Sequence, residues 1–508
     1  SFFGELYAVV RRLKALFDPD NCLNPGKIAV PLGSVAELVK LDGPMRGDLD
    51  RQLPYELREA FHGAFACNGN GQCFSYQSDA PMCPSYRYTR VRARSPKGYT
   101  ELMRDLLLRL KESGCDARAV EQEAPAGRRD SWFRRAFYTL SERHAPLHEQ
   151  RRLLDTCLSC KSCKGICPAH VNACDLNSRF LQLYYGRYLR PLRDVLLLSI
   201  EELLPKLTHF PRIFNALLFN APARALSGAF LGLTELPPLN PVSLAALAVR
   251  QGIPYLNTSE AVRAASSGSV QAVLVTDAFT AAYEPALLVQ AGRLLEHLSG
   301  QRVALLCPYP SGKLALILGA RAQFLDQARA QAQRLQDLAK AGLELIGFDP
   351  AFSICYRDEY VAELGAARGD FEVLLPEQWL MRHMTPLKRP QLTRTHLEPY
   401  ALFSHCAEHA LAQYSMRMWR ECFKAVGLEL LPPATSCCGM AGLHGHLKAH
   451  QAQSRATFAR SWGRLLKRYD AERVLATGFS CRFQVKRYTG RLPAHPLEVL
   501  AGLLLPGL

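Results

Sequence analysis

Residues 155–168 read DTCLSCKSCKGICP, with four cysteines separated by two, two and three residues and a proline after the last. Bacterial ferredoxins bind iron–sulfur clusters with this C-x2-C-x2-C-x3-C-P spacing, because the short gaps let one loop reach several irons. Zinc sites instead use pairs of C-x2-C units that lie well apart in the sequence. The stretch therefore predicts a [4Fe-4S] cluster held by Cys157, Cys160 and Cys163, with Cys167 before the proline.

A second cysteine motif lies upstream, where residues 67–73 read CNGNGQC and Cys83 is followed by Pro84. In two-cluster ferredoxins the cysteine of each Cys-Pro pair binds the cluster of the other motif. Cys83 is therefore predicted to complete the cluster of the downstream motif. By the same rule, Cys167 is predicted to join Cys67 and Cys73 at a second site.

That second site lacks one thiol, because Asn70 occupies the position of the middle cysteine. The residues leave three outcomes open. The site holds a three-iron cluster, a four-iron cluster with Asn70, water or Cys174 as its fourth ligand, or no cluster. The glycines at 69 and 71 permit a tight loop in each case.

The C-terminal half of the chain alternates apolar strand segments with amphipathic helices. The predicted strands lie within 270–276, 302–307 and 343–348 in one unit, and within 400–406, 428–433 and 473–479 in another. Such alternation predicts parallel sheets covered by helices on both faces. The predicted fold class is α + α/β, with a helical two-motif ferredoxin-like domain followed by a duplicated parallel α/β cysteine-rich domain. The predicted boundaries are 60–190 for the ferredoxin-type domain, 191–265 for a helical linker, and 266–508 for the duplicated domain, with repeats at 266–370 and 395–508.

Four more thiols belong to the second repeat. Cys406 and Cys481 follow predicted strands, while Cys437 and Cys438 are adjacent in SCCGMAG. Because the carboxyl ends of parallel strands meet at one edge of a sheet, these thiols are predicted to converge on a metal or cluster. Free buried thiols are the alternative, since cysteine often serves as a small apolar residue.

The first repeat lacks this set of thiols. Ala278 and Phe352 occupy the positions that correspond to Cys406 and Cys481, so this repeat is predicted to be a structural copy without a site. Cys307 and Cys355 are predicted to be packing residues. Histidines close to the thiols could contact a substrate, a quinone or a metal, or have structural roles; they are His405, His409, His444 and His446.

Composition restricts the class of protein. The chain has 508 residues, 48% hydrophobic content and 17 cysteines, and it shows neither a secretory signal nor a membrane-spanning apolar run. In a reducing compartment such cysteines bind metal or take part in redox chemistry. The net charge of +16 comes from scattered Lys and Arg, so no nucleic-acid partner is predicted. A cytoplasmic protein is expected, with peripheral contact to the inner membrane as one reading of residues 191–237.

Positive charge also lies within the downstream motif. Lys161 and Lys164 stand between its cysteines, where a cation would favour a reduced, more negative cluster. Solvated surface positions are the alternative for both lysines.

SCCGMAG, with HC upstream and FSCR downstream, resembles the cysteine-rich CCG domain of heterodisulfide reductase subunits, glycolate oxidase iron–sulfur subunits and anaerobic glycerol-3-phosphate dehydrogenase small subunits. The family pattern ends in C-x2-C, whereas here Gln484 replaces the second cysteine. DPAFSICYRDEY at 349–360 resembles the close of the family's first CCG repeat, with Phe352 in place of a cysteine. The resemblance therefore implies a CCG site with one thiol fewer than the fullest version.

RRLKALFDPDNCLNPGKI at 11–28 resembles the final helix and tail of the FAD-linked oxidase domain of D-lactate and D-2-hydroxyglutarate dehydrogenases. CNGNGQC, MCPSY and SPKGYTELMRDLL resemble bacterial enzymes that fuse this domain to ferredoxin and CCG regions. Residues 1–33 are accordingly predicted to be the domain's C-terminal tail, in a chain that begins with Ser1 and is expected to be a fragment or processed. The resemblance implies oxidation of a D-2-hydroxy acid at FAD in a missing N-terminal portion, with electrons leaving through the clusters to an acceptor such as quinone.

The FAD-linked oxidase domain is thus predicted to be a partner, fused upstream or on another chain. Three alternatives to this reading remain. The first is a separate iron–sulfur subunit of a glycolate or glycerol-3-phosphate dehydrogenase-like complex. The second is a cluster-bearing nucleic-acid-binding protein, and the third assigns thiol–disulfide chemistry to the CCG unit.

Overall fold

The computed structural model describes residues 3–40, 43, 47–75, 77, 80–114, 117, 132–142, 144–384 and 398–505. The chain divides into two compact units, Ser1–Tyr55 and Glu56–Leu508. The first unit contains α1 (Tyr7–Phe17) and α2 (Asp48–Arg51). Helix α1 ends at Asp18, whose carboxylate accepts hydrogen bonds from the backbone N–H groups of Cys22 and Leu23 at 2.8 Å each.

The chain from Tyr55 to Leu226 is mainly helical. Helix α6 shows why: the Ser95 hydroxyl accepts a hydrogen bond from the Gly98 N–H at 3.1 Å, and Pro96 occupies the first helical position. The helices of this region are α3 (Tyr55–Ala60), α4 (His62–Phe65), α5 (Pro84–Thr89), α6 (Pro96–Glu112), α7 (Trp132–Ser141), α8 (Pro146–Leu154), α9 (Ser162–Ile166), α10 (Ala173–Arg187), α11 (Leu192–Leu198), α12 (Ile200–Leu207), α13 (Pro211–Leu218) and α14 (Ala221–Leu226).

The first of two parallel sheets has five strands in the order β1-β3-β2-β4-β5. Their bounds are β1 (Tyr255–Leu256), β2 (Ala272–Val275), β3 (Val303–Leu306), β4 (Glu344–Gly347) and β5 (Val373–Leu374). In register, Leu274 of β2 pairs with Leu305 of β3 and with Ile346 of β4. The surrounding helices are α15 (Leu244–Gln251), α16 (Thr258–Ser266), α17 (Ala278–Tyr283), α18 (Pro285–Ser299), α19 (Lys313–Ile317), α20 (Arg321–Lys340), α21 (Pro350–Arg357), α22 (Glu359–Leu364) and α23 (Pro376–His383).

The second parallel sheet has three strands in the order β7-β6-β8. They are β6 (Tyr400–Phe403), β7 (Leu430–Leu431) and β8 (Val474–Ala476). The helices that follow Phe403 are α24 (Cys406–Leu411), α25 (Ser415–Ala425), α26 (Gln451–Arg460), α27 (Trp462–Leu466), α28 (Phe479–Thr489) and α29 (Pro496–Leu504). Single 3-10 or π turns lie at Gly4–Leu6, Gln72–Phe74, Arg92–Arg94, Ser227–Leu231, Gly365–Arg368, His444–His446, Lys448–His450 and Ala471–Arg473.

The two faces of the five-stranded sheet bury different apolar layers. Leu274 and Leu305 pack in one core with Leu288 of α18, whereas Val273 packs in another with Phe324 of α20. This is the arrangement expected when strand residues alternate between two covered faces. The prediction of parallel α/β sheets is confirmed, and each of the six predicted strands forms within its predicted segment.

The three predicted strands have the same order in both sheets. In each sheet the earliest of the three predicted strands lies between the other two, since β2 lies between β3 and β4, and β6 lies between β7 and β8.

The ends of the second predicted repeat, residues 395–397 and 506–508, lie outside the described residues. Across the described part of the chain, every helix is too short or too polar to cross a membrane.

Candidate metal centres

The first set of thiols lines one buried cavity. Its sulfur-bearing residues come from the end of one loop, the downstream motif and the start of α10: Cys83, Cys157, Cys160, Cys163 and Cys174. The four predicted ligands of the first cluster are therefore brought together. Cys174 was anticipated only as a ligand of the other site, yet it lies beside Cys157 and Cys163. No spacing rule points to Cys174, because it lies outside both cysteine motifs.

The backbone of the downstream motif turns sharply between its thiols. Ser159 and Lys161 adopt left-handed conformations with φ of 48° and 61°, which L residues adopt only where the surrounding structure holds them. Lys161 then precedes α9, which carries Cys163. These turns let three thiols face the same cavity.

Buried hydroxyl groups join the two cysteine motifs. The Ser85 hydroxyl donates to Thr156 Oγ1 at 2.8 Å, and the Tyr99 hydroxyl lies 3.1 Å from the same oxygen. Ser85 lies two residues after Cys83, and Thr156 directly precedes Cys157. A buried hydrogen-bonded group of this kind fixes the position of one motif against the other.

The second set of thiols comprises Cys67, Cys73 and Cys167, and Asn70 contacts Cys167 from the loop between the other two. Its Nδ2 donates to Cys167 Sγ at 3.8 Å and to Asn68 Oδ1 at 2.7 Å. Burial raises the pKa of Cys73, and the neighbouring Cys67 adds to the shift. The loop that carries Cys67 and Cys73 thus lies against Cys167, the cysteine that the Cys-Pro rule assigns to it.

The third set of thiols lies at the carboxyl end of the three-stranded sheet. Cys406 opens α24 after β6, Cys481 lies in α28 after β8, and Cys437 and Cys438 occupy the loop after β7. Successive contacts join Cys406 to Cys437, Cys437 to Cys438, and Cys438 to Cys481. Cys438 lowers the pKa of Cys481, but burial and the other thiols raise that pKa by more, to about 11.

Gln484, which replaces a cysteine of the resembled pattern, forms hydrogen bonds beside the third set of thiols. Its Nε2 donates to the Cys438 carbonyl at 3.1 Å and to Ser454 Oγ at 2.8 Å. In the segment predicted to be the first repeat, aromatic side chains pack around Phe352. Phe352 stacks on Phe279, with ring centroids 6.1 Å apart, and Phe279 in turn lies 6.5 Å from Phe479.

The first and third sets of thiols are neighbours in space. Helix α9 packs directly on α24, and Cys160 lies close enough to Cys406 and Cys437 for their charges to influence one another. Arg87 Nη2 also donates to Ser436 Oγ at 2.7 Å, beside Cys437. Burial, followed by the neighbouring Cys406, raises the pKa of Cys160 to about 12. The two sets thus form one continuous thiol-rich region.

Gly165 allows this close approach of α9 to α24. A Cβ at this position would lie 2.0 Å from the Ala410 carbonyl oxygen. We expect Gly165→Ala to force the two helices apart, at a cost of about 1–3 kcal/mol in the free energy of unfolding. Chemical denaturation, together with the iron content of the purified protein, measures the effect.

Gly502→Ala in α29 is the matched control for this substitution. Its Cβ would meet no atom within 4 Å, so stability is expected to stay unchanged or to rise slightly. An equal effect of the two substitutions would contradict the role assigned to Gly165.

The lysines of the downstream motif are ion-paired, which differs from both sequence interpretations. Lys161 is only 5% exposed, and its Nζ lies 3.1 Å from carboxylate oxygens of both Asp358 and Glu359. Lys164 also pairs with Asp358, and Lys313 with Glu359. The two carboxylates offset the positive charge, so Lys161 is neither a solvated residue nor an uncompensated cation beside the thiols. The acidic pair in CYRDEY was the available sequence signal.

The four histidines have protein partners. His405 caps α24 by accepting a hydrogen bond from the Ala407 N–H at 3.2 Å, and burial lowers its pKa to about 4. His409 Nε2 lies 2.9 Å from Thr435 Oγ1, and His446 Nδ1 lies 3.1 Å from the Thr234 carbonyl oxygen. His444 stacks on His450 with ring centroids 4.0 Å apart. These contacts give His405, His409 and His446 polar partners within the protein, whereas the buried Nε2 of His444 has no hydrogen-bond partner in the described part of the chain.

The donor atoms around the first cavity have the chemistry that an iron–sulfur cluster requires. In the described part of the chain, no group of three or more His, Cys, Asp or Glu has the geometry that would hold a metal ion. The donors around the first cavity are all thiols, and apolar residues such as Met82 and Leu158 line the rest of it. Soft sulfur donors in an apolar setting suit iron–sulfur clusters. Burial raises the pKa of Cys83 to about 12, and a bound metal centre would hold such thiols deprotonated.

Comparisons with known proteins identify a family match and several relatives of the chain. The family described as FAD linked oxidases, C-terminal domain, matches residues 1–28. The chain is 40% identical over 514 residues to the D-2-hydroxyglutarate dehydrogenase of Pantoea ananatis, and 37% identical over 519 residues to that of Escherichia coli K12. Each alignment covers 99% of this chain and 50% of the relative, so the chain spans about half the length of these curated relatives.

A more distant relative matches a shorter part of the chain. One of the subunits of the anaerobic glycerol-3-phosphate dehydrogenase of Escherichia coli K12 is 26% identical over 193 residues, which is 36% of this chain and 47% of that protein. No solved structure matches the chain. These relatives are oxidoreductases acting on CH–OH groups. Their class is the class of enzyme that the sequence predicts, and the prediction is confirmed in this respect. Four of them are named D-2-hydroxyglutarate dehydrogenase, and D-2-hydroxyglutarate belongs to the predicted group of substrates.

One cofactor prediction is wrong. FAD was assigned to a portion missing from this chain. The relatives align with 99% of the chain, and the FAD-linked oxidase family matches residues 1–28 within it. The oxidase signature at residues 1–28 therefore belongs to this chain.

Proposed function

We propose that this chain transfers electrons in a flavin-dependent D-2-hydroxyacid dehydrogenase, with D-2-hydroxyglutarate as the first substrate to test. The observation that carries the proposal is the continuous thiol-rich region. In it, five thiols line one buried cavity, and the third set of thiols lies directly against them. The names of the relatives support the substrate class.

The proposal assigns ligands as follows. Cys83, Cys157, Cys160 and Cys163 would hold one [4Fe-4S] cluster, and the site of Asn70 would hold a second, of three or four irons. A third centre, either a cluster or another metal site, would use the thiols of the CCG region: Cys406, Cys437, Cys438 and Cys481. Clusters bound there would supply one-electron transfer, whereas oxidation of a hydroxy acid releases two electrons.

The protein residues prepare these sites. Burial of the thiols excludes water, and the hydroxyl group of Thr156 positions the two motifs against each other. The Lys161 ion pairs fix the loop between Cys160 and Cys163. Well-positioned supporting residues of this kind set the orientation of the ligands.

The finer fold prediction is part of the same proposal. A duplicated CCG domain at 266–508 is supported by the shared strand order of the two sheets, in which the first strand lies between the other two. We propose that the segment without thiols is the degenerate copy, and that 60–190 is the ferredoxin-type domain.

Peripheral contact with the inner membrane, in a protein of the cytoplasm, and an acceptor such as quinone are also proposed. Helices α11 to α13 and the residue before α13 expose large apolar side chains, including Leu192, Phe210, Ile213 and Leu217. Short amphipathic helices with exposed apolar faces are suited to a membrane interface.

Metal analysis of anaerobically purified chain tests the function. We expect iron and acid-labile sulfide, and low-temperature EPR signals that count the clusters and separate three-iron from four-iron types. Cys160→Ser should abolish one of these signals, whereas Cys422→Ser, a buried thiol in α25 outside all three sets, should abolish none. Zinc instead of iron, or folded protein without metal, would refute the proposal.

A further inference from the structure

A large cavity in the described part of the chain lies beside the thiols and has no role in the function proposed above. It is an open cleft of about 1060 Å³ between the α5 segment and the region from α26 to α28. Its floor is apolar and includes Pro84, Phe458, Leu466, Val474 and Val485. The cleft is therefore a shaped surface whose chemistry can be compared with that of a partner.

The charge of the cleft has one sign. Basic residues occupy both walls, and no Asp or Glu is among the lining residues that the structure describes. The basic residues include Arg87, Arg90, Arg455, Arg460, Arg464 and Lys467. Like charges gathered around a concave surface concentrate the electrostatic potential and attract an anionic partner.

The cleft also adjoins the first set of thiols. Pro84 lines both the cleft and the cavity that contains Cys83, so a single residue separates the two spaces. Arg460 Nη1 donates to the Arg87 carbonyl at 2.6 Å, which joins the two walls, and Arg87 reaches Ser436 beside Cys437. A molecule seated in the cleft would lie next to two of the three thiol sets.

We propose that this basic cleft docks an acidic one-electron carrier protein, an inference that rests on the electron-transfer function proposed above. Cations distributed over both walls exceed what one small anion can neutralise, and they match an acidic protein patch. The apolar floor would receive the apolar edge that such carriers expose around their redox group. Complexes of this kind are small, transient and electrostatically steered. In each encounter the reduced protein loses one electron and the oxidised carrier gains it, with no bond formed between the two proteins; any proton that a flavin carrier takes up on reduction comes from solvent.

Binding of an oxidised, acidic flavodoxin to the full chain tests the proposal, with calorimetry at about 20 mM and about 200 mM salt. The double variant Arg455→Glu/Lys467→Glu reverses two exposed charges of the cleft. We expect it to weaken binding by about tenfold or more at low salt and to reduce the dependence of the affinity on salt. Arg417→Glu/Arg420→Glu, two exposed residues of α25, is the matched control and should bind as the unchanged chain does.

Two further measurements separate this inference from the proposed function. Iron content and EPR signals should be the same in both double variants, because neither changes a thiol; chain without clusters would refute the electron-transfer function, whatever the affinity for flavodoxin. After reduction by dithionite, the cleft variant should reduce flavodoxin more slowly and an uncharged short-chain quinone at the normal rate. Equal loss with both acceptors would show a small-molecule site, and unchanged flavodoxin affinity would show that the cleft does not dock the carrier; either result overturns the inference.

Discussion

Cys83→Ser is expected to abolish the same EPR signal as Cys160→Ser, although the two cysteines belong to different motifs. Each variant should lose about four irons per chain, the content of one [4Fe-4S] cluster. The reason is that both thiols line one buried cavity, and that the Ser85 and Thr156 hydroxyls hold their segments together at 2.8 Å. Iron analysis and EPR of anaerobically purified variants give the measurement.

Cys167→Ser provides the reciprocal arm of this experiment. Because Cys167 lies against Asn70, this variant should retain the signal of the first cluster and lose any signal of the second. Cys307→Ser, a thiol outside all three sets, should leave both signals intact. The assignment would be wrong if Cys174→Ser, and not Cys83→Ser, removed the first signal, since Cys174 also lines that cavity.

The cysteine motifs were predictable because cluster chemistry imposes a fixed spacing on the ligands. Strand positions were predictable for a similar reason: buried parallel strands such as β2 and β3 are short apolar runs between helices. Strands β1 and β5 were not predicted. Each has two residues, and both are defined by pairing with a neighbouring strand, which is a tertiary property that local periodicity does not contain.

Contacts between distant segments account for the other features that the sequence did not reveal. Cys174 joins the first cavity only because α10 begins beside the downstream motif. The small size of Gly165 matters only because Ala410 of α24 packs against it. The same holds for Lys161, whose partners lie almost 200 residues away, with a separation of 197 from Asp358. Local patterns identified the candidate ligands, whereas the residues that surround them became apparent only in the tertiary structure.

Glu359→Gln is expected to destabilise the protein by about 3–5 kcal/mol, because it removes the carboxylate that pairs with buried Lys313 and leaves buried Lys161 with Asp358 alone. Glu359 is 4% exposed, and its Oε1 pairs with both Lys161 and Lys313. Burial alone would raise the pKa of this carboxyl, but the two lysines outweigh it and lower the pKa to about 2. Denaturant unfolding at pH 7 measures the loss, and iron content should fall as well because Lys161 lies between Cys160 and Cys163.

The contribution of Glu359 to the free energy of unfolding depends on pH in a definite direction. The folded-state pKa of Glu359 is depressed from 4.5 to about 2, so the unfolded chain binds more protons between these values. The stabilisation, roughly 3 kcal/mol, is therefore complete above about pH 5 and is lost as the pH falls towards 2. The Gln variant cannot titrate at this position and should lack that part of the acid-induced loss of stability.

Two comparison variants identify the cause of the effect. Asp326→Asn removes a pair with Arg329 whose side chains are 80% and 60% exposed, and it should cost less than about 0.5 kcal/mol. Adding Lys313→Met to Glu359→Gln removes the lysine that loses its carboxylate partner and should recover part of the lost stability, a coupling expected only of residues in contact. If Glu359→Gln cost no more than Asp326→Asn, the buried lysines would not depend on this carboxylate, and the loop that carries Cys160 and Cys163 would have to be fixed by other contacts, such as the pairs of Lys161 and Lys164 with Asp358.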